Sequence, residues 1–414
     1  MKVLVAHPGK QHSYRMATAL KKGNMLDSYV TTVYYKKNNL TSKVLRFLNR
    51  KDLKKAQLRR CDFLNDEEVF QKYESLGLII LLCLRLHLPK LTNWLGRVQI
   101  YLFGISVAKM AIQRKVDAVI MYDNTAVPCF EYLKKNAPEI KRILDASTVN
   151  RLYIREIYEK DMRENHHDFF RKQLPFLWNK KRQSLYKKEI ELSDNILLPS
   201  KFVERSYLYS NVSPGKLIRI PYGVDVDKFK CQTRIPHDGM VNLLYVGQVT
   251  YYKGLHHLLP IIRDRYADRI KLTMVGGYDK NDLLYKEYGN IDNIEFKGFV
   301  PYTELPPLYQ QADAFIIPSL GEGFALVSLE ALGSGLPVLI SENTGGNDAI
   351  KNGYNGYEFE AGNDKDMINK IDMFINNLSS LSELSENARV TSLDYTWEKY
   401  EQRVIAFFME LESK

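Results

Sequence analysis

Short runs of apolar, β-favouring residues recur along the chain, each followed by a longer stretch whose apolar positions have helical spacing. Four lie in the first half: "KVLVAH" (2–7), "AVIMY" (118–122), "RILDA" (142–146) and "NILLPS" (195–200). Four more follow: "VNLLYVG" (241–247), "KLTMVGG" (271–277), "AFIIPS" (314–319) and "PVLISE" (337–342). Strand and helix patterns in alternation predict βαβ units and parallel sheets. The most irregular zone is "PYGVDVDKFKCQTRIPHDGMV" (221–241), where Gly, Pro, Asp and polar residues cluster before a new strand. At 414 residues the chain exceeds one ordinary core. The α/β pattern therefore predicts two Rossmann-like, doubly wound domains, 1–225 and 226–396, with the carboxyl ends of both sheets facing a central cleft. A final helical pattern over 397–414 is expected to cross back onto the first domain.

Composition, 45% hydrophobic and 26% charged, is that of a globular protein. The opening "MKVLVAHPGK" reads as a buried strand, its apolar run being too short for a signal peptide, and a cytoplasmic location is expected. Cys61, Cys83, Cys129 and Cys231 lie far apart, which suits buried free thiols and neither a zinc ribbon nor a disulfide framework. Two adjacent pairs, His166-His167 and His256-His257, are not expected to share a metal, because neighbouring side chains diverge on regular backbone.

Charge changes the picture of the first half. Residues 1–200 carry 37 Lys and Arg against 20 Asp and Glu, whereas the remainder carries 22 against 29. The first half therefore faces something anionic. Within 36–60, ten basic residues accompany a single acid, Asp52, and Val44, Leu45, Phe47 and Leu48 supply an apolar side. This segment is either an interfacial helix on anionic lipid or a solvated surface helix. The apolar run at 76–88 is too short to span a bilayer and carries Arg85 and His87, so it is a buried helix or part of the same membrane face. No zinc-finger, RNA-recognition or helix-turn-helix pattern supports nucleic-acid binding.

The densest chemistry lies in "GEGFALVSLEALGSGLPVL" (321–339). A helix from about Ala325 to Ser334, closed by Gly335 and Pro337, would leave the N–H groups of Phe324, Ala325, Leu326 and Val327 as an anion site, with Gly323 allowing close backbone approach. Glu330 then lies roughly 7 Å below that end, about the distance from a diphosphate to its ribose, where a carboxylate accepts both hydroxyls of a cis-diol. Glu322 lies on the other side of the anion site. Lys253, in "YVGQVTYYKG" (245–254), supplies counter-charge for a diphosphate and its leaving group. "GVDVD" (223–227) imitates a metal-binding D-x-D pair but reads as a turn.

These stretches, with "IEFKGFVP", "TGG" and "NGYNG", resemble the successive signatures of the retaining GT-B glycosyltransferases of family four (glycosyl transferases group 1). The resemblance is strong from about residue 185 to 360. It implies a GT-B fold, a nucleotide-sugar donor and no metal. By resemblance, Glu330 binds the ribose, Glu322 contacts donor-sugar hydroxyls, and backbone amides of Gly323 to Leu326 hold the sugar and distal phosphate. Lys253 matches one member of the family's cationic clamp, while Gln248 replaces the customary Arg. Backbone near Phe299 and Val300 matches the base-contacting strand end, and Gly9 matches a glycine that approaches the donor. His12 lies close to it, and Asp145 is an acceptor-side candidate or a helix cap. The implied function is retaining transfer from UDP- or GDP-sugar to a growing, lipid-linked bacterial surface glycan, as in O-antigen or capsule assembly, at the inner face of the cell membrane. The alternatives are a sugar-nucleotide epimerase, a non-catalytic nucleotide-sugar-binding partner and a membrane scaffold.

Overall fold

Two all-parallel sheets account for the apolar runs in a computed structural model that describes every residue except 10, 11, 38, 46–58, 233 and 414. The first sheet comprises β1 (Val3–Ala6), β2 (Leu26–Thr31), β3 (Val69–Gln71), β4 (Ala118–Tyr122), β5 (Lys141–Asp145), β6 (Asn195–Leu198) and β7 (Leu217–Arg219), in the order β3-β2-β1-β4-β5-β6-β7. The second comprises β8 (Val241–Val246), β9 (Ile270–Val275), β10 (Ile294–Gly298), β11 (Ala314–Ile317), β12 (Val338–Ser341) and β13 (Gly356–Phe359), in the order β10-β9-β8-β11-β12-β13. Helices cover both faces, so β1, β4, β11 and β12 are buried throughout and read as unbroken apolar runs rather than alternating ones. Strand order reverses between β1 and β4 and again between β8 and β11. In doubly wound sheets, ligands bind beyond the carboxyl ends at such switch points.

All eight runs form strands. Five strands escaped the pattern, and four of them, β3, β7, β10 and β13, are short sheet edges that need few apolar residues to hold one neighbour. The fifth, β2, contains Asp27 and Ser28.

Between β7 and β8 the chain is tied to the second sheet by Arg234, which is 5% exposed. Its guanidinium donates to the carbonyls of Tyr309, Ala312, Ser334 and Gly335. Two of these follow helix Leu326–Gly333 and two close helix Pro306–Gln311, so helix C-termini supply a negative pole for the guanidinium. Burial, partly offset by Cys231 and Asp313, lowers the Arg234 pKa to about 10. Cys61, Cys83 and Cys129 are buried free thiols, but Cys231 is exposed, contrary to expectation, because it lies in this surface connection.

The final helix, Trp397–Ser413, packs on helix Ser13–Lys22: Lys22 Nζ meets Glu401 Oε2 at 2.5 Å, and Arg15 lies over the Trp397 ring. The apolar run at 76–88 does not form a buried helix. In helix Glu74–Arg85 only Gly77 and Cys83 are buried, while Ile79, Leu82 and Leu84 are exposed. Helix Pro89–Arg114 follows, long and apolar enough to cross a membrane. Its second half is instead core, burying Phe103, Val107, Ala108 and Ala111, with Gly104 against Pro128 and Cys129. Its first half exposes Leu91 and Trp94. Most of the basic segment, 46–58, lies outside the described residues; helix Leu40–Leu45 is its described part.

Candidate functional site

The loop after β11 carries Ser319 to Ala325 into helix Leu326–Gly333. The helix begins one residue later than the pattern suggests, since Ala325 caps it in the left-handed region at φ 59°. A non-glycine residue there is uncommon and strained, and such strain concentrates at functional sites. No side chain caps this end, which leaves its first N–H groups for a ligand.

Lys253, expected as the counter-charge of a diphosphate, and Glu322, expected to contact donor-sugar hydroxyls, meet directly: Nζ lies 2.6 Å from Oε1. The other Glu322 oxygen accepts from Ser319 Oγ at 3.1 Å. Lys253 reaches this position because Gly254, at φ 71°, lets the loop turn against the end of β11; a Cβ there would lie 1.9 Å from the Pro318 carbonyl oxygen. Gln248 is not turned toward this pair by any hydrogen bond. Its Oε1 accepts from Tyr252 Oη at 2.9 Å, so the Gln248 side chain belongs to a neutral contact where the resemblance places a cation.

Glu330 is 7% exposed and accepts from Tyr309 Oη at 2.9 Å through Oε2. Burial, opposed by the Tyr309 hydrogen bond and the Lys228 charge, pushes its carboxyl up to about 7. Lys228 itself lies 3.7 Å from the centre of the Tyr302 ring. Neither Lys228 nor Tyr309 was a candidate from the sequence; the "DVDK" stretch showed only a turn, and Asp225 Oδ1 does accept from the Lys228 amide as in a turn. Phe299 is largely exposed and Val300 half-buried, just beyond β10.

On the first sheet, His12 and Asp145 come together although 133 residues separate them. His12 Nε2 lies 3.0 Å from Asp145 Oδ2 and 3.1 Å from Tyr222 Oη. Asp145 does not cap a helix: it ends β5, and Asn150 caps helix Arg151–Glu164 by accepting from the Leu152 amide. Burial disfavours charge on His12, but Asp145, by charge and hydrogen bond, and Asp123, by charge, outweigh it and raise the imidazole pKa. Asp123, which the sequence did not single out, is buried with its pKa raised by desolvation and accepts from Thr148 Oγ1 at 2.6 Å. The Gly9 amide donates to His7 Nδ1 at 2.7 Å, in the same loop as His12.

The two halves of the site touch. A Cβ on Gly323 would lie 2.0 Å from the Ser147 carbonyl oxygen, and Ser200 Oγ donates to the Gly323 carbonyl at 2.8 Å. Gly323 is therefore required first by the backbone of the other domain, not only by a ligand. Tyr222 bridges the same junction, with its hydroxyl on His12 and its ring edge on Phe324 at 5.4 Å between centroids.

One histidine pair, His256-His257, does not diverge as expected. His167, His256 and His257 all converge on the Asp161 carboxylate. The adjacent rings of His256 and His257 reach one group because each takes a different carboxylate oxygen.

Residues 227–391 match the family model for glycosyl transferases group 1. Glycogen synthase of Mycobacterium tuberculosis is 35% identical over 140 residues, 32% of this chain and 34% of that enzyme. The capsular polysaccharide biosynthesis glycosyltransferase CapM of Staphylococcus aureus is 25% identical over 243 residues, 53% of this chain and 63% of that one. The matched stretch thus spans about a third of the first of these and under two thirds of the second. Sucrose-phosphate synthase of Thermosynechococcus elongatus shares the fold with a TM-score of 0.67 at 16% identity, covering 100% of this chain and 99% of that one. Anabaena HepE in complex with UDP does so with 0.62 at 16% identity, covering 99% and 100%. The protein has the GT-B architecture of two facing Rossmann-like domains, and its second half is similar to the glycosyl transferases group 1 family over residues 227–391.

Proposed function

We propose that this protein is a metal-independent, retaining glycosyltransferase that moves a sugar from a UDP- or GDP-linked donor to a growing, lipid-linked bacterial surface glycan. The observation that carries this reading is the Lys253–Glu322 pair at the uncapped start of helix Leu326–Gly333, with Glu330 buried one turn below. Cation, helix N-terminus and carboxylate match, in order, the leaving phosphate, the diphosphate and the ribose diol of one ligand. The HepE neighbour is described with UDP, and CapM is named for capsule synthesis, which fits donor and acceptor class.

In the proposed reaction, the acceptor hydroxyl approaches the anomeric carbon from the face the diphosphate leaves. Its oxygen forms the new C–O bond as the bond from anomeric carbon to phosphate oxygen breaks, and its proton passes to the departing phosphate. Lys253 and the helix N-terminus stabilise the charge that builds on that phosphate, the electrostatic work a metal would otherwise perform. Glu322 accepts from donor-sugar hydroxyls while keeping Lys253 in place. Gly9 to Leu326 marks the donor's two sides: the Gly9 loop on the first domain and Gly323, Phe324, Ala325 and Leu326 on the second, with Val300 toward the base. The His12–Asp145 pair lies on the acceptor side, where His12 orients the incoming hydroxyl.

Membrane association belongs to the same proposal. Leu82, Leu84, Leu88, Leu91 and Trp94 are exposed apolar side chains on the strongly basic half of the chain, a combination suited to anionic lipid. Two assays test the proposal. Release of UDP or GDP from UDP-glucose, UDP-N-acetylglucosamine and GDP-mannose in the presence of chelator should occur with one base and vanish in Glu322→Gln. Release from none of them, with any lipid-linked acceptor fraction, contradicts it and favours a non-catalytic partner. Sedimentation with anionic vesicles should fall in a Leu84→Ser, Leu91→Ser, Trp94→Ser variant, and unchanged sedimentation removes the membrane claim.

A further inference from the structure

Next to the Lys253 loop, three histidines from both domains close on one carboxylate. Asp161, on helix Arg151–Glu164, accepts at Oδ2 from His167 Nε2 at 2.9 Å and from His256 Nε2 at 3.1 Å. Its Oδ1 meets His257 Nε2 at 2.8 Å. His256 and His257 open helix Leu255–Arg265, immediately after Lys253 and Gly254. The four side chains are 4% to 11% exposed.

We propose that Asp161, His256 and His257, with His167 as fourth donor, form an inter-domain site for a divalent transition-metal ion of the zinc class. Three imidazole nitrogens and one carboxylate oxygen are a closed tetrahedral donor set, which zinc accepts and which magnesium or calcium, bound by oxygens, does not favour. The ligand atoms of Asp161, His256 and His257 lie within 4.8 Å of one another. An ion about 2.0–2.1 Å from each donor separates donors by about 3.3 Å, so the Asp161 contacts with His167, His256 and His257, at 2.9, 3.1 and 2.8 Å, need to open by a few tenths of an ångström, while imidazole nitrogens lying farther apart draw together around the ion.

The surroundings match a ligand shell. His257 Nδ1 lies 2.7 Å from Asp364 Oδ1, the carboxylate contact that fixes tautomer and leaves Nε2 as the metal-facing nitrogen. Asn165 Nδ2 donates to Asp161 Oδ1 at 3.1 Å and orients the carboxylate. Among the described residues no group holds Nδ1 of His167 or His256, so either imidazole can present an N–H to the carboxylate or a lone pair to an ion. The site does not touch the transfer chemistry and stands independently of the donor assignment. Its bound ion would fasten the loop carrying Lys253 to the first domain, a junction already packed by Phe169 stacked on Tyr251 at 3.7 Å.

The test uses the full chain, stripped with chelator, dialysed and titrated with Co²⁺ and then Zn²⁺. Expected are one equivalent of Co²⁺ per chain with the intense visible bands of tetrahedral coordination, loss of those bands on adding Zn²⁺, and a raised Tm. His256→Gln and His257→Gln should remove the bands. Because those changes touch a buried cluster, Asp364→Asn provides the second arm: its side chain is half exposed, and it should keep the fold while weakening Zn²⁺ affinity about 10- to 100-fold. A weak octahedral Co²⁺ spectrum in the native chain, or metal binding unchanged in both His256→Gln and Asp364→Asn, overturns the proposal and leaves the cluster as a hydrogen-bonded clasp.

Discussion

Replacing Glu330 by Gln separates what burial costs this carboxylate from what a ligand gains by it. The group ionises near 7 in the folded chain against 4.5 ordinarily, because desolvation exceeds what Tyr309 and Lys228 return. Between those values the unfolded chain has already lost the proton that the folded chain retains, so stability falls as pH rises from about 4.5 to 7 and is level above. At about 1.4 kcal/mol per pKa unit, the ionised form costs the fold roughly 3 kcal/mol at pH 8. Glu330→Gln should therefore match the native protein in urea unfolding near pH 4.5 and exceed it by about 2–3 kcal/mol at pH 8. Binding should move oppositely. The ribose diol donates to the ionised carboxylate, so affinity for UDP-glucose or GDP-mannose should weaken up to tenfold per pH unit below 7 in the native chain. In the Gln variant it should be lower by about 1.5–3 kcal/mol at pH 8 and flat with pH. A nucleotide-sugar is the ligand of choice because its diphosphate does not titrate in this window. Identical pH profiles for stability and binding in the two proteins would refute both the buried-carboxylate cost and the ribose assignment.

Other perturbations follow from single contacts. Lys253→Met leaves Glu322 with Ser319 alone and should reduce nucleotide-sugar affinity about 10- to 100-fold, with kcat falling further than KM rises; an unchanged donor titration would separate Lys253 from the diphosphate. Gly323→Ala places a methyl 2.0 Å from the Ser147 carbonyl oxygen, so the domains must part; small-angle scattering should show a larger radius of gyration, and an unaltered profile would mean the loop yields instead. Arg234→Met removes a donor from four buried carbonyls, of which that of Gly335 keeps another, Ser385 Oγ, and should cost about 3 kcal/mol or more in denaturant unfolding, whereas a loss below about 1 kcal/mol would show that water replaces the guanidinium.

Strands buried on both faces are legible because their apolar runs are continuous, which is why β1, β4, β11 and β12 stand out. Edge strands such as β3 and β13 are held by one neighbour and leave almost no pattern. The same logic governs the site. Glu322 and Glu330 lie eight residues apart across one loop and helix, and Lys253 follows a strand end, so local spacing displays them. His12 and Asp145, or Glu330 and Tyr309, meet only through the fold, and no short-range pattern couples them. Gly323 was read as making room for a ligand, although the first demand on it comes from Ser147 across the cleft. The histidine pairs were set aside because adjacent residues diverge, an inference that overlooks a carboxylate wide enough to meet both.

The most direct test of the central claim is calorimetric titration of the full chain with UDP, GDP and ADP in chelator-containing buffer at pH 8. The account predicts saturable binding of UDP or GDP at one site, weaker in Lys253→Met and Glu330→Gln. Absence of binding by all three, in a chain shown to be folded, would contradict the donor site and with it the proposed transfer.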